Sequence, residues 1–149
     1  TMRNLWLAAL VFALLGVSIA GYLTVTHLFG GSIACAGGGG CDEVQASRFA
    51  YLAGIPLPYL GLGFYLTVAA LVISGWRAKL SLDVVLPVLL LLTLSGALFS
   101  GYLTGLQAAV IGAFCTWCLA SAVTETTLLA LTVTLLWAHS RTPRAGSRP

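Results

Sequence analysis

The sequence predicts an all-α integral membrane protein, a four-transmembrane-helix bundle. Two observations carry that class. Of the 149 residues, 59% are hydrophobic and 7% charged, with a mean hydropathy of +1.00; a soluble domain carries about 25% charged residues. The apolar residues also fall in four long stretches, each near the roughly 20 residues that cross a bilayer as a helix. The net charge of +3 does not point to nucleic acid, because the seven basic residues stand singly between apolar blocks or in the tail and form no stripe. One compact bundle over residues 1–138, followed by a basic cytoplasmic tail over 139–149, accounts for the length.

The first span follows Arg3. No charge occurs from Asn4 to Cys41. The apolar part, about 5–29, exceeds the roughly 7–15-residue core of a signal peptide and is read as a retained helix. Thr1, ahead of Met2, is read as an addition to the natural start. The second span is expected at 57–75, the third at 83–106 and the fourth at 110–138. No charge separates Asp83 from Glu125. That run is too long for one helix and too short for two with a large loop, so a tight turn is expected near Gly105-Leu106-Gln107 or a few residues later. Gly101-x-x-x-Gly105, Gly16, Gly21, Gly61 and Gly63 are expected to let helices approach closely. Trp6, Trp76, Trp117 and Trp137 fall near the expected interfaces, as aromatic belts do.

Charge sets the orientation. Arg3, Arg77, Lys79, Arg141, Arg144 and Arg148 fall on one side and Arg48 alone on the other, so both termini are expected in the cytoplasm. The loop over 30–56 and the third turn then face outward, and all four cysteines converge on the face where disulfides form and persist.

Cys35-Ala-Gly-Gly-Gly-Gly-Cys41 is the first pair. As a structural staple, so short a loop contributes only about 2–2.5 kcal/mol, and the glycines disfavour any fixed conformation. The run suits a pair that opens, swings to another sulfur and closes again. A phosphate cradle is a third reading, but no Lys-Ser/Thr follows and no strand precedes. Cys115-Thr-Trp-Cys118 is a C-x-x-C at a helix start, where i and i+3 share a face and free amides favour the thiolate. Zinc competes as a reading of four cysteines. A four-thiolate site, however, uses two close pairs, and five residues separate Cys35 from Cys41. No metal is expected. Cys118 should lie about 4.5 Å deeper than Cys115 at a helical rise of about 1.5 Å per residue. Cys115 is then within reach of the loop, and Cys118 within reach of a lipid-soluble oxidant. No haem, flavin or dinucleotide motif occurs in the sequence, which leaves a quinone as the natural acceptor and a thioredoxin-fold protein as the natural donor.

On these residues the chain resembles the vitamin K epoxide reductase family in its bacterial form. The likeness rests on the Cys35/Cys41 pair, on Cys41-Asp-Glu-Val44-Gln-Ala-Ser47-Arg48 as C-x-x-V-x-x-S-R, on Gly54-Ile-Pro56 with Gly61 and Tyr65, and on Cys115-Thr-Trp-Cys118. With the four-helix order it covers most of residues 1–138. The resemblance implies a bundle around a quinone, ubiquinone or menaquinone, with a short surface helix after Cys41 acting as a lid in the first outer loop. It also implies a bacterial inner membrane location, in contact with lipid. Ser47 would support the site, and Cys118 and Tyr65 would face the quinone. The vertebrate enzyme contacts the vitamin through an asparagine and a tyrosine whose positions here are Leu57 and Ala122. Simple quinone reduction is therefore expected rather than epoxide reduction. Relatives often carry a fused thioredoxin domain; this chain ends in Arg-Thr-Pro-Arg-Ala-Gly-Ser-Arg-Pro, so the thioredoxin-like partner is expected in trans.

Glu125 is the one acid well inside a span, seven residues after Cys118 and on the same helical face. It is either part of a proton relay or an acid hydrogen-bonded to a nearby Ser or Thr. His27 is a weaker proton-donor candidate, and His139 belongs to the tail. The other known class of membrane quinone-linked thiol oxidase has its C-x-x-C in the first outer loop, the reverse of the order here. A non-catalytic tetraspan scaffold stapled by disulfides is the alternative to an enzyme.

Overall fold

The computed structural model describes residues 1–37 and 39–143; Gly38, Arg144 and Arg148 lie outside the described residues. The spanning helices are α1 (Met2–Phe29), α3 (Leu57–Trp76), α4 (Leu82–Leu106) and α5 (Thr116–Arg141). Between α1 and α3 lie the short helix α2 (Cys41–Ala46), a 3-10 turn (Arg48–Ala50) and a two-residue hairpin of β1 (Tyr51–Leu52) and β2 (Ile55–Pro56), in which Tyr51 pairs Pro56 and Leu52 pairs Ile55. Each long helix has the length and apolarity to cross a membrane, and in hydrocarbon a helix satisfies its own backbone amides. The protein is a multi-pass, four-helix membrane bundle with a short helix in its first loop.

Local chemistry sets the ends. α1 stops where Gly30 turns left-handed at φ 65 and its N–H reaches the Thr26 carbonyl. Pro58 opens α3 in the first turn, where its missing N–H costs nothing. Ser81 precedes α4 and Asp83 lies in the first turn, complementing the helix dipole. Asp83 also meets His139 of α5 at 3.2 Å, so His139 is a helical residue that ties two helices together.

The turn between the third and fourth spans lies later than Gly105. α4 runs on through a π-turn (Gln107–Ile111) to Gly112, at φ 69, and α5 begins only at Thr116. A glycine inside a helix weakens it without ending it, whereas a residue at positive φ ends it. The fourth helix therefore starts six residues later than the expected 110, which makes Cys115 its cap rather than an interior residue.

Small residues seat α1 on α3. Ala9, Ala13, Gly16 and Ala20 are buried along one face of α1, the close-approach pattern of membrane helices. A Cβ on Gly16 would run into the Tyr65 ring, and one on Gly61 would lie 3.7 Å from Ala20. The other glycines read as packing positions do not serve that way. A Cβ at Gly21, Gly63, Gly101 or Gly105 would meet nothing within 4 Å, because spacing does not say which face of a helix turns inward. Trp6 faces the bundle rather than its surroundings. It is buried, and a Cβ at Gly75 would come 2.6 Å from its ring. Trp76 and Trp137 are exposed, and Arg141 stacks over Trp137 at 3.7 Å. The core of Val68, Val72, Leu86, Leu89, Leu128 and Leu135 fills the half of the bundle around Trp6. A second buried cluster, around Cys41 and Cys115, forms at the other end.

Candidate active site

The loop after α1 is an arm fastened to the start of α5. The Ala34 N–H donates to the Tyr22 hydroxyl (3.0 Å), and the Trp117 indole N–H donates to the Ala34 carbonyl (2.7 Å). Thr116 donates to the Ala36 carbonyl (3.0 Å), and Asp42 accepts from the Ile33 N–H (3.0 Å). The two middle residues of Cys115-Thr-Trp-Cys118 thus hold the arm. Trp117, read as a belt residue, has its polar edge on the arm and its ring 4.7 Å from that of Tyr22.

Cys35 and Cys41 are joined by a disulfide, with Cα atoms 5.9 Å apart. The glycines between them have particular tasks. Gly37 and Gly39 adopt φ 80 and 96, which side chains disfavour. Gly40 passes so close to the Phe114 backbone that an added Cβ would be 3.0 Å from its nitrogen.

Cys41 opens α2 and is buried together with Val44 and Cys115; Cys35 and Cys118 are half-buried against the same cluster. Cys35 Sγ is 3.6 Å from the Thr116 hydroxyl. Cys115 caps α5, its sulfur accepting the Cys118 N–H at 3.3 Å. The Cys115 thiol is held below its ordinary pKa, first by a hydrogen bond with the Cys118 thiol and further by that backbone N–H, against the opposing effect of burial.

Two glutamines that sequence reading did not single out fix the pair. Gln107, buried in the π-turn, accepts the Cys115 N–H at 2.8 Å. Gln45 of α2 donates to Cys118 Sγ at 3.3 Å. The available signal was Gln107 itself, an amide in an apolar run where a polar side chain needs a partner. Gln45 gave no comparable signal, since its target is 73 residues away.

Beneath α2 all four helices line a partly open cavity of about 530 Å³, mainly with apolar side chains. Cys118, Ser121 and Glu125 reach it from one face of α5; Leu57 and Tyr65 reach it from α3, and Ser47 from the end of α2. The Tyr65 hydroxyl is 2.8 Å from the Ser121 hydroxyl and donates to the Ser121 carbonyl at 3.2 Å. Ser47 bonds back to the Val44 carbonyl at 2.7 Å. Ala122 is not on the cavity wall; Ser121, three residues from Cys118 and four from Glu125, takes that face.

Glu125 does not find the Ser or Thr partner expected of it. Both carboxyl oxygens are buried without a hydrogen bond. His27 does not line the cavity and is exposed, edge-on to Tyr51 and Tyr59 at 6.1 and 5.6 Å. Among the described residues no three His, Cys, Asp or Glu side chains cluster as a metal site.

A closed disulfide, a thiol pair and an apolar cavity reached by one of those thiols form a continuous path. A model of the vitamin K epoxide reductase family matches residues 7–133, most of the chain. The chain belongs to this family. The family is one of disulfide-forming oxidoreductases that act on thiols and use quinones. The cavity fits that chemistry: its volume lies in the range of small-molecule sites, its lining suits a hydrocarbon-soluble ring, and Cys118 lies at its wall.

Proposed function

We propose that the protein oxidises a thioredoxin-fold dithiol in trans at the outer face of a bacterial inner membrane and passes the electrons to ubiquinone or menaquinone. The observation that carries this reading is the shared cluster of Cys35, Cys41, Cys115 and Cys118, with Cys118 also on the cavity wall. Residues 1–138 form the catalytic unit in this reading, and the last turn of α5, to Arg141, leads into a cytoplasmic tail.

In the first stage a partner thiolate attacks the Cys35–Cys41 disulfide, and the partner's second thiol resolves the mixed disulfide. The partner leaves oxidised and the loop pair is reduced. In the second stage a loop thiolate attacks an oxidised Cys115–Cys118 pair. The other loop thiol closes Cys35–Cys41 again and leaves Cys115 and Cys118 as thiols. The described state, with the loop pair closed and the Cys115/Cys118 pair open, corresponds to the end of this stage.

In the third stage the Cys115–Cys118 bond re-forms as two S–H bonds break and two electrons leave. A bound quinone supplies the acceptor for those two electrons and two protons. Gln45 holds the Cys118 sulfur in place from the lid, Ser47 shapes the rim, and Leu57, Tyr65 and the apolar wall offer a surface for the ring. Cap hydrogen bonds favour the Cys115 thiolate, the form that closes the disulfide.

The test is quinone reduction by purified protein supplied with a dithiol donor, followed by quinone absorbance for wild type and Cys118→Ser. Turnover in wild type that disappears in the variant is expected. Absence of turnover with any quinone in folded protein would overturn the reading in favour of a stapled scaffold.

A further inference from the structure

Glu125 is 1% exposed, and neither of its carboxyl oxygens has a hydrogen-bond partner. It nevertheless lines the cavity that Cys118 reaches, seven residues further along α5. None of the lining residues is basic, so no cation offsets a charge there. An isolated carboxylate in such surroundings is very costly.

The neighbouring helices leave room for this carboxyl. On α4, a Cβ at Gly96 would lie 2.7 Å from Glu125 Oε1 and 2.8 Å from Phe64 of α3. Any side chain at 96 would displace the acid. An acid placed for packing alone would be better replaced by an apolar residue of similar volume, and ionisable groups inside a bundle face functional space.

This inference rests on the proposed quinone chemistry. The thiol pair supplies both electrons, and Glu125 is the one acid among the residues that line the cavity. We propose that Glu125 is the catalytic acid that protonates a quinone oxygen as the electron pair leaves Cys118. Over one turnover two S–H bonds break, one S–S bond forms and two O–H bonds form. Glu125 gives one proton to oxygen and regains one released by the Cys115/Cys118 pair, while the other thiol proton goes to the second oxygen. The carboxyl therefore begins and ends each cycle protonated.

The experiment uses the full chain in detergent, reduced and mixed with ubiquinone-1, in wild type, Glu125→Gln and Glu125→Asp. Quinone absorbance and the infrared carboxyl C=O stretch are read together. Removing a general acid costs roughly 10²–10⁴-fold, so single-turnover reduction should fall by that order in Glu125→Gln and recover in part in Glu125→Asp. During the single turnover in wild type, a protonated-carboxyl band that Glu125→Gln lacks should be lost and then regained, a change that a structural role would not produce. Should Glu125→Gln fail to fold, the wild-type band decides: transient loss upholds the role and a band that persists throughout turnover overturns it. Normal wild-type turnover with an indifferent Glu125→Gln overturns this inference alone. Absence of wild-type turnover overturns the quinone reading and this inference with it.

Discussion

In the proposed relay, the charge state of one sulfur governs the exchange between the two cysteine pairs. Cys115 is lowered first by the Cys118 thiol hydrogen bond and then by the backbone N–H at the helix cap. A depressed value means that the thiolate persists to lower pH than in free cysteine, at about 8.5, and is lost as pH falls through the lowered value. Iodoacetamide alkylation of reduced protein, read at each site by mass spectrometry, should therefore give Cys115 a midpoint below that of free cysteine. Cys118→Ala removes the first donor and leaves burial opposed only by the weaker hydrogen bonds, so the midpoint should move up. A midpoint that does not move would show that the thiol contact is not what stabilises the anion. The motif made the Cys115/Cys118 pair at a helix start legible in the sequence. The Gln45 contact was not legible, because a surface glutamine and a cysteine 73 residues apart share no spacing rule.

At the scale of elements, the close contact of α1 with α3 depends on having no side chain at Gly16. Gly16→Ala would drive a methyl group into the Tyr65 ring and also disturb the hydroxyl that meets Ser121. Overpacking of this kind costs about 1–3 kcal/mol, so the thermal midpoint in detergent should fall clearly. Gly101→Ala places its methyl group where nothing lies within 4 Å and should stay within about 0.5 kcal/mol of wild type, or gain slightly from the better helix former. Equal losses at both positions would mean that Gly101-x-x-x-Gly105 does pack against something. The same logic explains the displaced turn. Gly105 and Gly112 look alike as letters, and only Gly112 adopts positive φ, a choice made by where α5 must start for the Gln107 side chain to receive the Cys115 N–H.

At the scale of the whole molecule, the up-and-down order of four spans sets Arg3, Arg77, Lys79 and Arg141 at one end and the cysteine cluster at the other. The charge rule then predicts that the cysteines face outward. A membrane-impermeant maleimide, applied to intact cells after mild reduction, should label Cys35; labelling only after permeabilisation would reverse the orientation. The family likeness, the spans and the convergence of four cysteines were all readable in the sequence. Each follows from composition, from a spacing along one helix, or from the parity of the crossings, and none requires knowing which helix faces which. The tertiary structure alone decided that Trp6 is core and Trp117 a clasp, that Ser121 rather than Ala122 faces the cavity, and that Glu125 has no partner. The physical reason is the same in each case. Hydrophobicity fixes that a segment enters the bilayer, but a helix that is apolar all round carries no mark of its inner face, and only packing against its neighbours chooses one.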